Sequence, residues 1–471
     1  MYFKIMKHFN RFLYITIIIT IPFAFWAKLQ ILPTFDDWIT ITANYNNSDL
    51  YELFYRHGSF WRPFDELIRY FFSNNIKYYP HVGHIIIFLG HLLNTLLVYL
   101  ISKKLLFDKF ARSIATTFFY LSPCMLATLW ACDSINQTYS QFWGLLTILY
   151  YLNFQGKIKY IGWFILVFIA TLTKENGIIW AIVPPIIAFG FNIIDYKKFK
   201  KEVLFAFGII ILYVLIRFSI PVIGEFDTEY STFTFSRKIK HIGIILGFTW
   251  IAIDYVYLLH EPSRNLPIVI ITFILSFPFI WFIFKHTYIW KTKKFIALVL
   301  SAFLAILPNL ITNVSLMNTY ASLGMSAILV GYLVNYLKQK RIYITFILYI
   351  ISALFIDIHL WYTSWKSSLT GKEMAQQAIL KTEKPVNKVY TITVQDNIRK
   401  LSSFCVSPCE AFGWGISVIY ETNKKWPTEL CDSTVDYNTS QEIINEIAQS
   451  ALNEGYDCVW VINKKNIDVI K

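Results

Sequence analysis

Two adjacent carboxylates, Asp36 and Asp37, follow directly on the first long apolar stretch of the chain, within Thr34-Phe35-Asp36-Asp37-Trp38. Carboxylates side by side at a membrane edge repel each other and are costly to bury. Such a pair can supply a general base or hold a cation. The plainer reading is a solvated helix start, since Asp is a good N-cap. The same segment, residues 33–82, carries His57, then Phe60-Trp61-Arg62-Pro63-Phe64 and Asp65-Glu66. After Pro80 a second apolar stretch contains His84, His91 and Asn94. His84 and His91 are seven residues apart and share one helix face. Polar groups inside a span face the bundle or a wet cavity. For Asn94, hydrogen bonds to neighbouring helices are the default, and lone histidines are more often structural than ligating.

These residues need a membrane to position them. Of 471 residues, 56% are hydrophobic and only 15% are charged. One soluble core cannot absorb that much apolar surface, so a soluble enzyme is excluded. Runs of about 20 apolar residues are long enough to span a bilayer. They occur at 11–32, 83–102, 113–131, 137–152, 158–173, 176–194, 203–223, 266–284, 295–311, 320–337 and 342–362, eleven in all. A further stretch, 240–258, is ambiguous. No small-residue cleavage site follows Trp26, so the first span does not read as a cleaved signal.

The net charge of +13 is read as topology rather than as a nucleic-acid surface, because short cytoplasmic loops collect Lys and Arg. Lys4, Lys7 and Arg11 put the N-terminus inside. The loops carrying Lys103/Lys104/Lys109, Lys157/Lys159, Lys197–Lys201, Lys285–Lys294 and Lys338/Lys340/Arg341 also fall inside if 240–258 does not cross. That stretch is therefore expected to lie in the outer interface, which leaves the tail outside. The expected architecture is a polytopic α-helical membrane domain over 1–362 and a small extracytoplasmic α/β domain over 363–471. In the tail, 388–394 and 457–463 read as strands and 440–454 as an amphipathic helix ended by Gly455. Its four cysteines, Cys405, Cys409, Cys431 and Cys458, suggest two disulfides of open connectivity in an exported domain. A metal site is the rival, disfavoured by the absence of His from the tail. Cys124 and Cys132 read as packing residues, with their pairing open.

The order Phe35-Asp36-Asp37, then Trp61-Arg62-Pro63, then Pro80-x3-His84-x6-His91-Leu-Leu-Asn94 resembles the start of the GT-C membrane glycosyltransferases that use polyprenyl-phosphate sugars, protein O-mannosyltransferases above all. Leu172-Thr173-Lys174-Glu175-Asn176-Gly177, with Pro184 beyond, is similar to the Lys-Glu motif that this family places at an outer helix end. The resemblance covers residues 30–220. It departs from the family in several places. Ile87 stands where an Asn is frequent, and the second outer loop offers only Asp133 where relatives carry an acid and an Arg. Asn318-Thr319-Tyr320 replaces an Arg-Tyr pair, and the tail has no tetratricopeptide repeat.

The resemblance implies transfer of a sugar from a polyprenyl-phosphate donor to an acceptor hydroxyl on the outer face, with inversion. Asp36 is then the base, with Asp37 orienting it or helping to bind a divalent cation. Arg62 and Lys174, with Arg217 third, contact the donor phosphate. His57, His84, His91, Asp133 and Glu175 are supporting residues. Each phosphate candidate has a plainer alternative: Arg62 pairs with Asp65 or Glu66, Lys174 pairs with Glu175 or snorkels, and Arg217 snorkels. The acceptor, whether protein, lipid or glycan, stays open, and no nucleic-acid partner is expected. A transporter or flippase, a glycan polymerase and a non-catalytic relative are the other classes considered. Richness in Ile, Lys, Phe and Tyr suggests an AT-rich bacterial genome and so an inner-membrane location.

Overall fold

The computed structural model describes residues 2–32, 55–57, 60–74, 81–123, 134–223, 239, 242–243, 245, 247, 249–253, 262–310, 316–337, 339, 341–394, 408–423 and 425–471. The helices of the N-terminal part are α1 (Tyr2–Lys28), α2 (Pro63–Asn74), α3 (His81–Lys104), α4 (Lys109–Tyr120), α5 (Ile135–Asn153), α6 (Gly156–Thr173), α7 (Val183–Gly190), α8 (Tyr196–Ser219), α9 (Pro262–Phe284), α10 (Lys293–Ile306), α11 (Tyr320–Leu337) and α12 (Arg341–Thr382). Among the described residues, seven helices are long and apolar enough to cross a membrane: α1 from His8, α3, α6, α8, α9 from Leu266, α11 and α12. They turn large apolar side chains outward, such as Ile18, Leu204, Leu215 and Phe218. Only a bilayer tolerates that along whole helices, so the chain is a polytopic membrane protein.

Of the remaining expected spans, 137–152 is one unbroken helix, α5, that is less apolar than the seven; 113–131 is helical to Tyr120 and then leaves the described residues; and two are broken. The stretch 176–194 splits into a 3-10 segment, Glu175–Ala181, and α7, which opens on Pro184 and Pro185. Proline cannot continue the preceding helix but fits a first turn. The stretch 295–311 leaves the α-helix at Ile306 for a 3-10 turn. Most of 240–258 lies outside the described residues.

α11 is the hub, with almost every side chain from Tyr320 to Val334 buried. Its small residues allow close approach. A side chain at Gly331 would meet Ala115 and Phe107, and one at Gly324 would meet Gln141 and Leu145.

The basic loops gather at one end of the bundle. Asp108 N–H donates to Asn335 Oδ1 (2.8 Å), and the hydroxyls of Thr292 and Tyr332 bond at 3.0 Å. Lys293 and Lys294 lie over Phe189 and Phe191. Lys159 and Tyr151 both donate to the buried Glu202 carboxylate, joining the starts of α6 and α8. Phe9, near the N-terminus, packs on Phe110 and Tyr343.

The other end carries an aromatic belt. Trp26 and Trp361 lie 5.4 Å apart, and Trp361 stacks on Trp365 at 5.8 Å. Such belts sit at headgroup level. α12 has 42 residues; at 1.5 Å per residue that is about 63 Å, roughly twice a hydrocarbon core. It therefore runs through the boundary expected at 362 and carries the tail beyond the belt.

In the tail, β3 (Lys388–Val394) pairs in parallel with β4 (Glu429–Val435) and β5 (Cys458–Asn463), and β6 (Asn466–Ile470) closes antiparallel on β5. One face packs on the end of α12, α13 (Pro408–Phe412) and α14 (Ile416–Glu421), through Met374, Phe412, Val418 and Trp460. The other packs on α15 (Gln441–Asn453) through Ile392, Ile444 and Val461. Ile416 and Tyr420 also pack against the core of the membrane helices.

The expectation of two disulfides is corrected here. Cys431 and Cys458 are free thiols, so four tail cysteines cannot make two bridges. The register also rules out a bridge between these two. Cys431 lies opposite Tyr390 and Cys458 opposite Val389, on strands flanking β3 from either side. They are two strand spacings apart, about 9–10 Å, beyond the Cα reach of a disulfide. Tyr390 and Val389 are consecutive, so the two thiols also face opposite sides of the sheet. Cys409 donates weakly to the Lys464 carbonyl at 3.6 Å, and Cys405 lies outside the described residues.

Candidate active site

The segment before α2 is tied to the exit of α8. β1 (Arg56–His57) runs parallel to β2 (Val222–Ile223), and Arg56 N–H donates to the Pro221 carbonyl at 2.9 Å. Trp61, nearly buried, stacks on Tyr213 of α8 at 6.0 Å. Pro63 then opens α2, and its first turn buries Asp65.

Lys174 and Glu175 stand where α6 breaks. Lys174 leaves the helix with φ −156° and ψ 139°. The chain re-enters a 3-10 turn in which Gly177 N–H donates to the Lys174 carbonyl at 2.8 Å. Only glycine allows this turn. A Cβ at 177 would lie 2.3 Å from both the carbonyl carbon and oxygen of Ala170.

The turn aims Glu175 at the first loop. Its carboxylate accepts from Trp61 N–H at 3.0 Å and from Arg62 Nε at 2.8 Å. Burial raises the Glu175 carboxyl, but Arg62 and Lys174 together outweigh burial and hold its pKa below the ordinary value. The Arg62 guanidinium also lies 4.3 Å from the Phe60 ring. Lys174 Nζ donates to Asn136 Oδ1 at 3.1 Å, and Asn136 Nδ2 donates to the buried Asp65 carboxylate at 2.9 Å. The Asn136 amide thus bridges a cation and an anion drawn from two other segments. Beside it, Gln137 donates to Asn318 Oδ1 at 2.8 Å, and Ser140 donates to Asn176 Oδ1 at 3.3 Å.

The structure therefore brings together Arg62, Lys174 and Glu175, with Arg217 in the last turn of α8, one turn beyond the Tyr213 that stacks on Trp61. Among the described residues Arg62 pairs with Glu175, and Lys174 bonds Asn136. His57 sits in β1 opposite Ile223. His84 is fully buried in α3. His91 is part of a closed network. Its Nε2–H donates to the Tyr120 carbonyl (3.2 Å), which leaves Nδ1 to accept from Tyr320 OH (3.0 Å). Tyr320 OH in turn accepts from Asn94 Nδ2 (3.0 Å), which also donates to the Thr138 carbonyl. This network is helix-to-helix bonding of the kind expected for Asn94, and His91 belongs to it. Asp36, Asp37 and Asp133 lie outside the described residues. Among the described residues, no group of three or more His, Cys, Asp or Glu side chains could hold a metal ion.

Sequence reasoning passed over Asn136, Tyr213 and the anchoring part of Asp65. The signal for Asn136 was present. A span that begins Asn136-Gln137-Thr138-Tyr139-Ser140-Gln141 is too polar at that end to face lipid.

No protein-family model matches the chain, and no curated protein matches it. Among solved structures, ArnT from Cupriavidus metallidurans bound to undecaprenyl phosphate is similar to this chain at 11% identity and a TM-score of 0.49, over 97% of both chains.

Proposed function

We propose that this chain is a membrane glycosyltransferase that moves a sugar from a polyprenyl-phosphate donor to an acceptor hydroxyl on the extracytoplasmic face. The observation that supports this reading is the gathering of Arg62, Lys174 and Arg217 at one end of the membrane helices, opposite the basic loops. By the positive-inside rule the basic end is cytoplasmic, so the site end and the tail face outward, in a bacterium across the inner membrane. Cations at that depth suit a lipid phosphate.

The chemistry needs one displacement. Asp36 takes the acceptor proton as the hydroxyl oxygen attacks the anomeric carbon. The bond from that carbon to the phosphate oxygen breaks, and the phosphate leaves with the electron pair. The sugar carbon inverts. Arg62 and Lys174 stabilise the charge that gathers on the leaving phosphate. Glu175 orients Arg62 and Asn136 orients Lys174, so both cations are preorganised. Asp37 orients Asp36 or shares a divalent cation with it.

A non-catalytic relative is the second reading. It is favoured by Asn318 and Tyr320, which turn to Gln137, His91 and Asn94 where relatives place an arginine.

The test is sugar transfer from a polyprenyl-phosphate donor in liposomes, with donor binding measured separately. Asp36→Asn should lower transfer by about 10²–10⁴-fold, the usual worth of a general base, with binding little changed. Lys174→Ala should weaken binding and transfer together. Full transfer by Asp36→Asn removes Asp36 as the base. Donor binding by the wild type without transfer favours the non-catalytic relative, and no donor binding ends the transferase reading.

A further inference from the structure

Arg56 is a largely buried cation that has no counterion among the described residues. It is 9% exposed, and its Nε is sealed from solvent with no hydrogen-bond partner. None of the ion pairs among the described residues involves it. Its guanidinium lies 5.6 Å from the Phe218 ring. That contact uses none of its hydrogen-bond donors. Leaving a charged group in this state is costly.

The position indicates what offsets that cost. The backbone of Arg56 is fixed by its bond to Pro221 and by the β1–β2 pairing, so the side chain stands where α8 leaves the membrane. Phe218, against which it rests, is 72% exposed, and Leu215 on the preceding turn is 61% exposed. Both lie at the end of a helix long and apolar enough to cross a membrane, within reach of a lipid chain. From this edge, Arg217, Tyr213 and Trp61 lead inward to Arg62 and Glu175. A planar guanidinium with free donors recognises a phosphate through paired hydrogen bonds.

We infer that Arg56 binds the phosphate of a lipid that enters from the bilayer along α8, its acyl or prenyl chain lying against Leu215 and Phe218. Arg56 thus marks the lipid entrance to the site. That the lipid is the sugar donor rests on the function proposed above. That a lipid phosphate binds here rests on Arg56 alone.

The experiment compares wild type, Arg56→Met and Arg56→Lys as full-length protein in micelles. A polyprenyl phosphate, phosphatidylglycerol and inorganic phosphate are added in turn, and affinity and the shift in melting temperature are read. Arg56→Met should weaken lipid-phosphate binding by about 10- to 100-fold, the worth of a lost charged hydrogen bond, and abolish the lipid-induced shift. Arg56→Lys keeps a cation without the planar fork and should fall between. Without lipid, Arg56→Met should melt no lower than wild type, because an uncompensated buried charge has gone. A lower melting point with unchanged lipid affinity would make Arg56 structural and overturn the inference. Equal polyprenyl-phosphate binding by all three proteins would also overturn it, while leaving the donor reading intact. Arg56-dependent capture of phosphatidylglycerol with no polyprenyl-phosphate binding would uphold the entrance and sink the donor reading. Inorganic phosphate bound as tightly as either lipid, again through Arg56, would overturn the lipid assignment.

Discussion

Glu175→Gln tests whether Glu175 organises the site. The substitution keeps the shape of the side chain and removes its charge. In the native protein the carboxylate accepts from Trp61 N–H and Arg62 Nε, and the two charged side chains are only 15% and 17% exposed. Solvent screens such a pair weakly. Removing one partner of a buried, hydrogen-bonded ion pair costs about 3–5 kcal/mol. The glutamine oxygen still accepts one bond, worth about 1 kcal/mol. The expected loss is therefore about 2–4 kcal/mol. Equilibrium unfolding in mixed micelles would measure it, and a cycle with Arg62→Ala isolates the pair. The coupling should be about 2 kcal/mol. The pH dependence has a definite sign. The folded pKa of Glu175 lies below its ordinary value of 4.5. The contribution of the pair is complete above that value and is lost as pH falls through the lower folded pKa. Wild type and Glu175→Gln should converge in stability only in that acid range. A coupling under about 0.5 kcal/mol, the scatter of independent sites, would refute the idea that Glu175 holds Arg62.

Three further outcomes are expected. Gly177→Ala forces a Cβ to within 2.3 Å of the Ala170 backbone, so it should cost about 1–3 kcal/mol and reduce transfer by displacing Lys174 and Glu175; Gly208→Ala, inside α8 with nothing within 4 Å, should be no less stable than wild type in the same unfolding assay. Protein recovered without reductant should alkylate at both Cys431 and Cys458 once denatured, and in the folded state Cys458 should react slowly, since burial pushes its thiol up to about 11; a disulfide-linked peptide containing either residue, found by mass analysis, would contradict this. A cysteine introduced at Lys291, in the basic end, should resist a membrane-impermeant reagent in intact cells, whereas one at the exposed Lys384 should label; the reverse pattern would invert the topology.

Local patterns in the sequence were enough for what depends on local physics. A helix must satisfy its own backbone in lipid, so uninterrupted apolar runs mark α3, α8 and α12 directly. Short runs rich in β-branched and aromatic residues mark β3 and β5 in the same way, and Gly455 stands just past α15. The Lys174-Glu175-Asn176-Gly177 turn was legible as a break at a helix end. Its partners were not. Glu175 meets Arg62 across 113 residues, and Lys174 meets Asn136 across 38. Nearer candidates, Asp65 and Glu66 for Arg62, were equally good on spacing alone. Helix packing made the choice, because it decides which ends of α2, α5 and α6 converge. The cysteines show the same limit in the tail. Their number and exported setting suggested bridges, but the strand order places Cys431 and Cys458 on either side of β3 and on opposite faces. Periodicity states which face a residue occupies; only the tertiary arrangement states what lies across from it.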